Sequence, residues 1–80
     1  MDRERIFYKL TTVFQSVFDD DSIKLSDSTS AIDIDEWDSL THITLISEVE
    51  DAFDIYFEMK DVTKMQNVGD LVDKIQELIA

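Results

Sequence analysis

Glu36-Trp37-Asp38-Ser39-Leu40 is the stretch on which the reading of this chain turns. Upstream of it, from Asp19, no helical period survives; downstream, Leu45, Ile46, Val49, Ala52 and Phe53 recur at helical spacing, which predicts a helix from 39 to about 54. The stretch is therefore the place where a long acidic loop enters a helix, with a serine at the junction. Asp38 is a suitable N-cap, since its carboxylate can accept early backbone amides. A serine hydroxyl placed there faces unpaired N–H groups and the positive end of the helix dipole, so a phosphate ester formed on Ser39 would be stabilised. Read alone, Ser39 is more simply an ordinary helix-start serine, favoured by local hydrogen bonding.

Working outward, Ile6, Leu10, Val13, Phe14 and Val17 fall on one helical stripe, widened by Phe7 and Phe18, and predict a first helix over 2–18. Asp19-Asp20-Asp21 marks its end, where the dipole disfavours acids. Within the following loop Ile23, Leu25, Ile32, Ile34 and Trp37 recur among polar residues and are expected to anchor it to the core. A rival reading pairs 22–26 with 31–35 as a hairpin, because both alternate apolar and polar residues. So long a connection counts against a compact domain unless the loop is functional. After the second helix, Asp54-Ile55-Tyr56 breaks the period; Phe57 is expected to plug the space beneath a short helical turn near Met59–Thr63. Asn67 is a good N-cap for a last helix carrying Val68, Leu71, Val72, Ile75, Leu78 and Ile79 on one face.

One Gly and no Pro leave few sites for tight hairpins, and 44% hydrophobic residues suffice for a helical core. The fold class is thus all-α, a four-helix bundle of three longer helices and one short third helix, with a long loop between the first two. Eighty residues make a single domain, 1–80.

A net charge of −12 from 19 acids and 7 bases excludes nucleic-acid backbones and anionic membranes as partners and favours basic protein surfaces. No cysteine is present, so any thiol chemistry must be imported on a prosthetic group. Met1-Asp2-Arg3-Glu4-Arg5 lacks the apolar run of a secretory signal, and no stretch reaches membrane-spanning length; a cytoplasmic, monomeric protein is expected. The acidic runs around Asp19–Asp21 and Asp33–Asp38 lack the glycine and terminal glutamate of a calcium-binding loop, so no metal site is assigned. Ser39 and His42, at i and i+3, could form a hydrolase pair, but the chain has no G-x-S-x-G elbow and little room for an oxyanion hole. His42 reads better as a capping or packing residue near Trp37.

Asp38-Ser39-Leu40, followed by Leu45, Val49, Glu50 and Phe53 at helical spacing, resembles the acyl carrier protein family, and the resemblance covers the whole layout of helices. It implies that Ser39 carries 4′-phosphopantetheine, installed from coenzyme A by a phosphopantetheinyl transferase. The arm's thiol would hold an acyl group as a thioester and present it to acyl-transferring or ligase enzymes with basic docking surfaces, the chain itself performing no catalysis. The Trp-Asp-Ser-Leu-x-His form, without the Gly-Gly-x-Ser of peptidyl carriers, looks like stand-alone carriers. Glu36 stands where the family often has Gly, and Glu58 where it often has Pro. Two alternatives remain at this point: an aminoacyl or D-alanyl carrier of the same fold, and an acidic interaction module with no prosthetic arm.

The docking face follows from angles. At about 100° per residue from Ser39, the core arc of the second helix centres near 285° whereas Leu40, Ile43, Ser47 and Asp51 lie at about 100°, 40°, 80° and 120°. Leu40 and Ile43, flanked by Thr44, Ser47, Glu50 and Asp51, are therefore expected to form a small apolar patch with an acidic rim for partner enzymes. Burial of Leu40 under the loop is the competing outcome.

Overall fold

A computed structural model describes residues 2–79. Four helices follow in order: α1 (Arg3–Phe18), α2 (Ser39–Phe53), α3 (Met59–Lys64) and α4 (Val68–Ile79). Among the described residues there is no strand, so the expected all-α bundle with a short third helix is what forms and the hairpin alternative is not.

The core is built from one stripe of each long helix: Ile6, Leu10, Phe14 and Phe18 of α1, Leu45, Ile46, Val49 and Phe53 of α2, and Val68, Leu71, Val72 and Ile75 of α4. Val13 and Val17 sit half-buried at the stripe's edge. Leu78, expected on the inner face of α4, is partly exposed, because the bundle ends before the last turn of that helix is covered. Phe57 is half-buried against the core, and its amide donates to the Glu50 carboxylate at 2.8 Å, which ties the α2–α3 connection to α2.

With one glycine in the chain, two helices end on aspartates instead. Asp19 (φ 51°) closes α1 and Asp54 (φ 55°) closes α2, both in the left-handed region, each amide reaching back to the carbonyl of the fourth residue before it. Aspartate tolerates this conformation better than most residues, though less well than glycine.

The connection over 19–38 is a chain of tight turns. Backbone bonds close Asp20 on Ile23, Ser26 on Thr29, Ser30 on Asp33 and Ile34 on Trp37. Side chains reinforce them: Thr29 Oγ1 accepts the Ser26 amide at 2.9 Å, and Asp33 accepts that of Ser30 at 3.0 Å. Ile23, Ile34 and Trp37 are buried and Leu25 is half-buried, as anchors should be. Ile32 is not an anchor: it is 90% exposed. Alternating patterns locate inward residues only in extended backbone, and Ile32 occupies the third position of a turn, which faces outward.

What pins the loop is the start of α4. Its first two amides, otherwise without intrahelical partners, donate to loop carbonyls: Val68 to Thr29 at 2.8 Å and Gly69 to Asp27 at 2.9 Å. The third, of Asp70, goes to the Asn67 side chain at 2.8 Å, so Asn67 caps as expected. Arg3 then bridges all three parts, donating to Asp27 in the loop and, in α4, to Asp73 at 2.7 Å and Gln76 at 2.9 Å.

Candidate functional site

The α2 start is capped twice over. One carboxylate oxygen of Asp38 accepts the amides of Leu40 and Thr41, both at 3.0 Å, and the Asp38 carbonyl accepts that of His42 at 2.8 Å. In return the Thr41 hydroxyl accepts the Asp38 amide at 2.8 Å and donates to the Glu36 carbonyl at 2.7 Å. Asp-x-x-Thr is thus a reciprocal capping box, one that sequence reading missed although the spacing is local and legible. It fixes the chain direction at residues 36–38 without the glycine that Glu36 replaces. The Thr41 amide is the main influence on the Asp38 carboxyl; a desolvation penalty opposes it, the Leu40 amide and the Thr41 hydroxyl add to it, and the net effect holds the carboxyl below its ordinary range.

Ser39 is exposed at this junction, and the hydrogen bonds of the cap bypass its hydroxyl, leaving it open to modification. One expectation changes, however. The amides of Leu40, Thr41 and His42, which were to favour a phosphate on Ser39, are already spent on Asp38.

Trp37 roots the junction in the core. Its ring meets Phe14 edge-on, with centroids 5.2 Å apart at 87°, and stacks on His42 at 5.9 Å and 24°. The indole N–H donates to His42 Nδ1 at 3.0 Å. His42 therefore packs beside Trp37, as its position suggested. Since Nδ1 accepts, the imidazole proton is on Nε2, and the ring has no lone pair free to take the Ser39 hydrogen. A serine–histidine hydrolase pair is incompatible with that arrangement.

Asp38, Ser39 and His42 line a cleft of about 380 Å³ together with Val62, Thr63, Met65 and Gln66 from α3 and the segment after it. Sequence reading did not anticipate these last residues, because their place depends on how a six-residue helix docks. Away from the cleft, Leu40 and Ile43 are 79% and 67% exposed, so the loop does not bury Leu40. Thr44, Ser47 and Asp51 are exposed on the same helix. Glu50 differs from them: half-buried, it spends its carboxylate on the Phe57 amide and so has a task inside the fold. Among the described residues, no three His, Cys, Asp or Glu side chains are grouped so as to hold a metal ion, and no helix is long and apolar enough to cross a membrane.

Compared with known proteins, the chain is similar to a holo acyl carrier protein from Geobacter metallireducens, determined in solution by NMR. The two are 46% identical, the match covers 91% of this chain and 84% of the other, and the TM-score is 0.86. No protein-family profile and no curated protein matches.

Proposed function

This chain belongs to the acyl carrier protein family, and from that premise we propose that Ser39 is the attachment point of a 4′-phosphopantetheine arm. The single observation that carries the assignment is an exposed serine, left out of its own helix cap, that lines a cleft. The chain contains no cysteine, so the arm's thiol would be the only one available to hold an acyl group as a thioester.

The residues fit the group. Ser39 would supply the ester oxygen; Asp38 and Thr41 hold the helix start rigid, so the hydroxyl is presented in one place. Trp37 buries the root of the junction and shields it from fraying. Beyond that root the arm supplies a long flexible tether, which raises the effective concentration of cargo at a docked active site. The chain performs no catalysis in this reading. Residues 1–80 act as one carrier domain in the cytoplasm, with Leu40 and Ile43, rimmed by the exposed Thr44, Ser47 and Asp51, offered to basic surfaces on the transferase and on acyl-transferring or ligase enzymes. An aminoacyl cargo would use the same serine and arm, selected by the ligase that loads it.

Intact mass after incubation with coenzyme A and a promiscuous phosphopantetheinyl transferase tests the proposal. One addition, mapped to Ser39 and absent from a folded Ser39→Ala variant, is expected. No addition would favour an acidic interaction module without an arm, and loading of the alanine variant would move the site elsewhere.

A further inference from the structure

A phosphodiester on Ser39 meets an unfavourable electrostatic setting. The Asp38 carboxylate is the adjacent side chain, and it already holds the Leu40 and Thr41 amides. The His42 amide is bound to the Asp38 carbonyl. No lysine or arginine lines the cleft. Of the polar side chains that do, Thr63 donates its hydroxyl hydrogen to the Lys60 carbonyl, and Gln66 comes from the segment after α3. Of the first amides of α2 only that of Ser39 is uncommitted, so an anion there needs a further donor to be fully paired.

The cleft residue that lies nearest Ser39 along the helix with an uncommitted side-chain donor is His42. It lies three residues after Ser39, a separation that puts Cβ atoms about 5–6 Å apart on one helix face, so a phosphorus bonded to Ser39 Oγ comes within reach of its ring. The ring's other nitrogen is committed, since Nδ1 accepts the Trp37 indole hydrogen at 3.0 Å while the two rings stack. Trp37 is in turn buried against Phe14. A core tryptophan thereby sets the tautomer of a half-buried histidine that lines the cleft and leaves a hydrogen on Nε2, the ring's uncommitted polar atom. We propose that His42 Nε2–H donates to the phosphodiester of the arm on Ser39, with Trp37 as the positioning residue that fixes the tautomer. This rests on Ser39 carrying the arm. It assigns the Trp37–His42 pair the task of holding the arm's root over the cleft, against the repulsion of Asp38.

Nitrogen-15-labelled protein is loaded from coenzyme A and transferase, and the mass gain is checked first; its absence removes both the arm and this inference. With Ser39 loaded, the His42 Nε2 resonance is expected to move relative to the unloaded protein and its hydrogen to exchange more slowly with water, while the Trp37 indole N–H stays where it was. The phosphorus-31 resonance of the arm is expected to shift in His42→Phe, which keeps an aromatic ring while removing both the Nε2 donor and the Nδ1 acceptor of the Trp37 indole, and to stay unchanged in Gln66→Leu. A loaded protein whose His42 Nε2 resonance is unmoved overturns the inference while leaving Ser39 as the attachment site. So does a phosphorus resonance that responds to Gln66→Leu as strongly as to His42→Phe. If His42→Phe does not fold or load, the Nε2 resonance of the loaded wild-type protein decides alone.

Discussion

Replacing Gly69 by alanine should destabilise this protein, although in an ordinary helix interior the same change stabilises by about 1 kcal/mol. The reason is steric and specific. A Cβ at position 69 would lie 2.9 Å from the Asp27 carbonyl oxygen and 3.2 Å from both Asn67 Oδ1 and Asp27 Oδ1. The two side-chain oxygens can rotate aside only by loosening the Asn67 cap on the Asp70 amide and the Asp27 pairing with Arg3, and the carbonyl can move only with the loop backbone. Moving it breaks the bond from the Gly69 amide and pulls on the one from Val68 to Thr29. Each buried amide left without a partner costs about 1–3 kcal/mol. Losing one bond fully and the other in part, and subtracting the alanine's helix preference, gives a net loss of roughly 1–3 kcal/mol. For a domain of this size each kcal/mol moves the melting temperature by about 4–8 °C, so a fall on the order of 10 °C is expected. Thermal melts by circular dichroism, wild type against Gly69→Ala at matched salt, provide the measurement. An unchanged or raised melting temperature would refute the account of how the loop is held.

Leu40→Ala and Ile43→Ala should each cost less than about 1 kcal/mol in denaturant melts, as exposed residues do, yet weaken binding to the transferase in a titration; a loss of about 2–5 kcal/mol with affinity unchanged would make either residue core. Asp54→Gly should stabilise by about 0.5–1 kcal/mol, because glycine occupies the left-handed region at the end of α2 without a Cβ penalty, and a melt showing destabilisation would discard that reading. Asp38 gives a pH signature: its carboxyl titrates lower in the fold than when unfolded, so its contribution is complete above the unfolded value of about 3.9 and is lost as pH falls through the folded one. Asp38→Asn keeps a capping oxygen and removes that titration, so its melting temperature should fall less than the wild type's as pH is lowered through about 4 and below. Parallel acid profiles of the two proteins would contradict this.

The parts of the structure that were legible in the sequence are those whose determinants are local. Helical stripes such as Ile6, Leu10 and Phe14 need only a period of 3.6, and Asp38, Ser39 and His42 are placed by their spacing along one helix start. Ile32 misled because recurrence among polar residues does not say which way a side chain faces where the chain turns every four residues. Arg3 could not be assigned, since its partners Asp27, Asp73 and Gln76 lie 24, 70 and 73 positions away. The same holds for the cleft: Ser39 marks its near side, but Val62 and Gln66 come to face it only once α3 has docked. Local chemistry therefore locates the reactive atom, and the packing of distant segments decides what surrounds it.

Helix α3 has no buried residue. It is held by the half-buried Val62, by Met65 just beyond it, by a 3.4 Å contact from Asp61 to Lys74, and by the Glu50 carboxylate on the Phe57 amide that precedes it. A six-residue helix is also too short to persist by its own hydrogen bonds. In the language of hydrogen exchange, α3 is expected at the low-stability end of the molecule, its amides exchanging through a local excursion while α1, α2 and α4 stay folded. On that expectation the cleft beside Ser39 has one fixed wall and one that breathes, and its capacity is an ensemble property, set by how often α3 lifts and not by the volume of a single conformation.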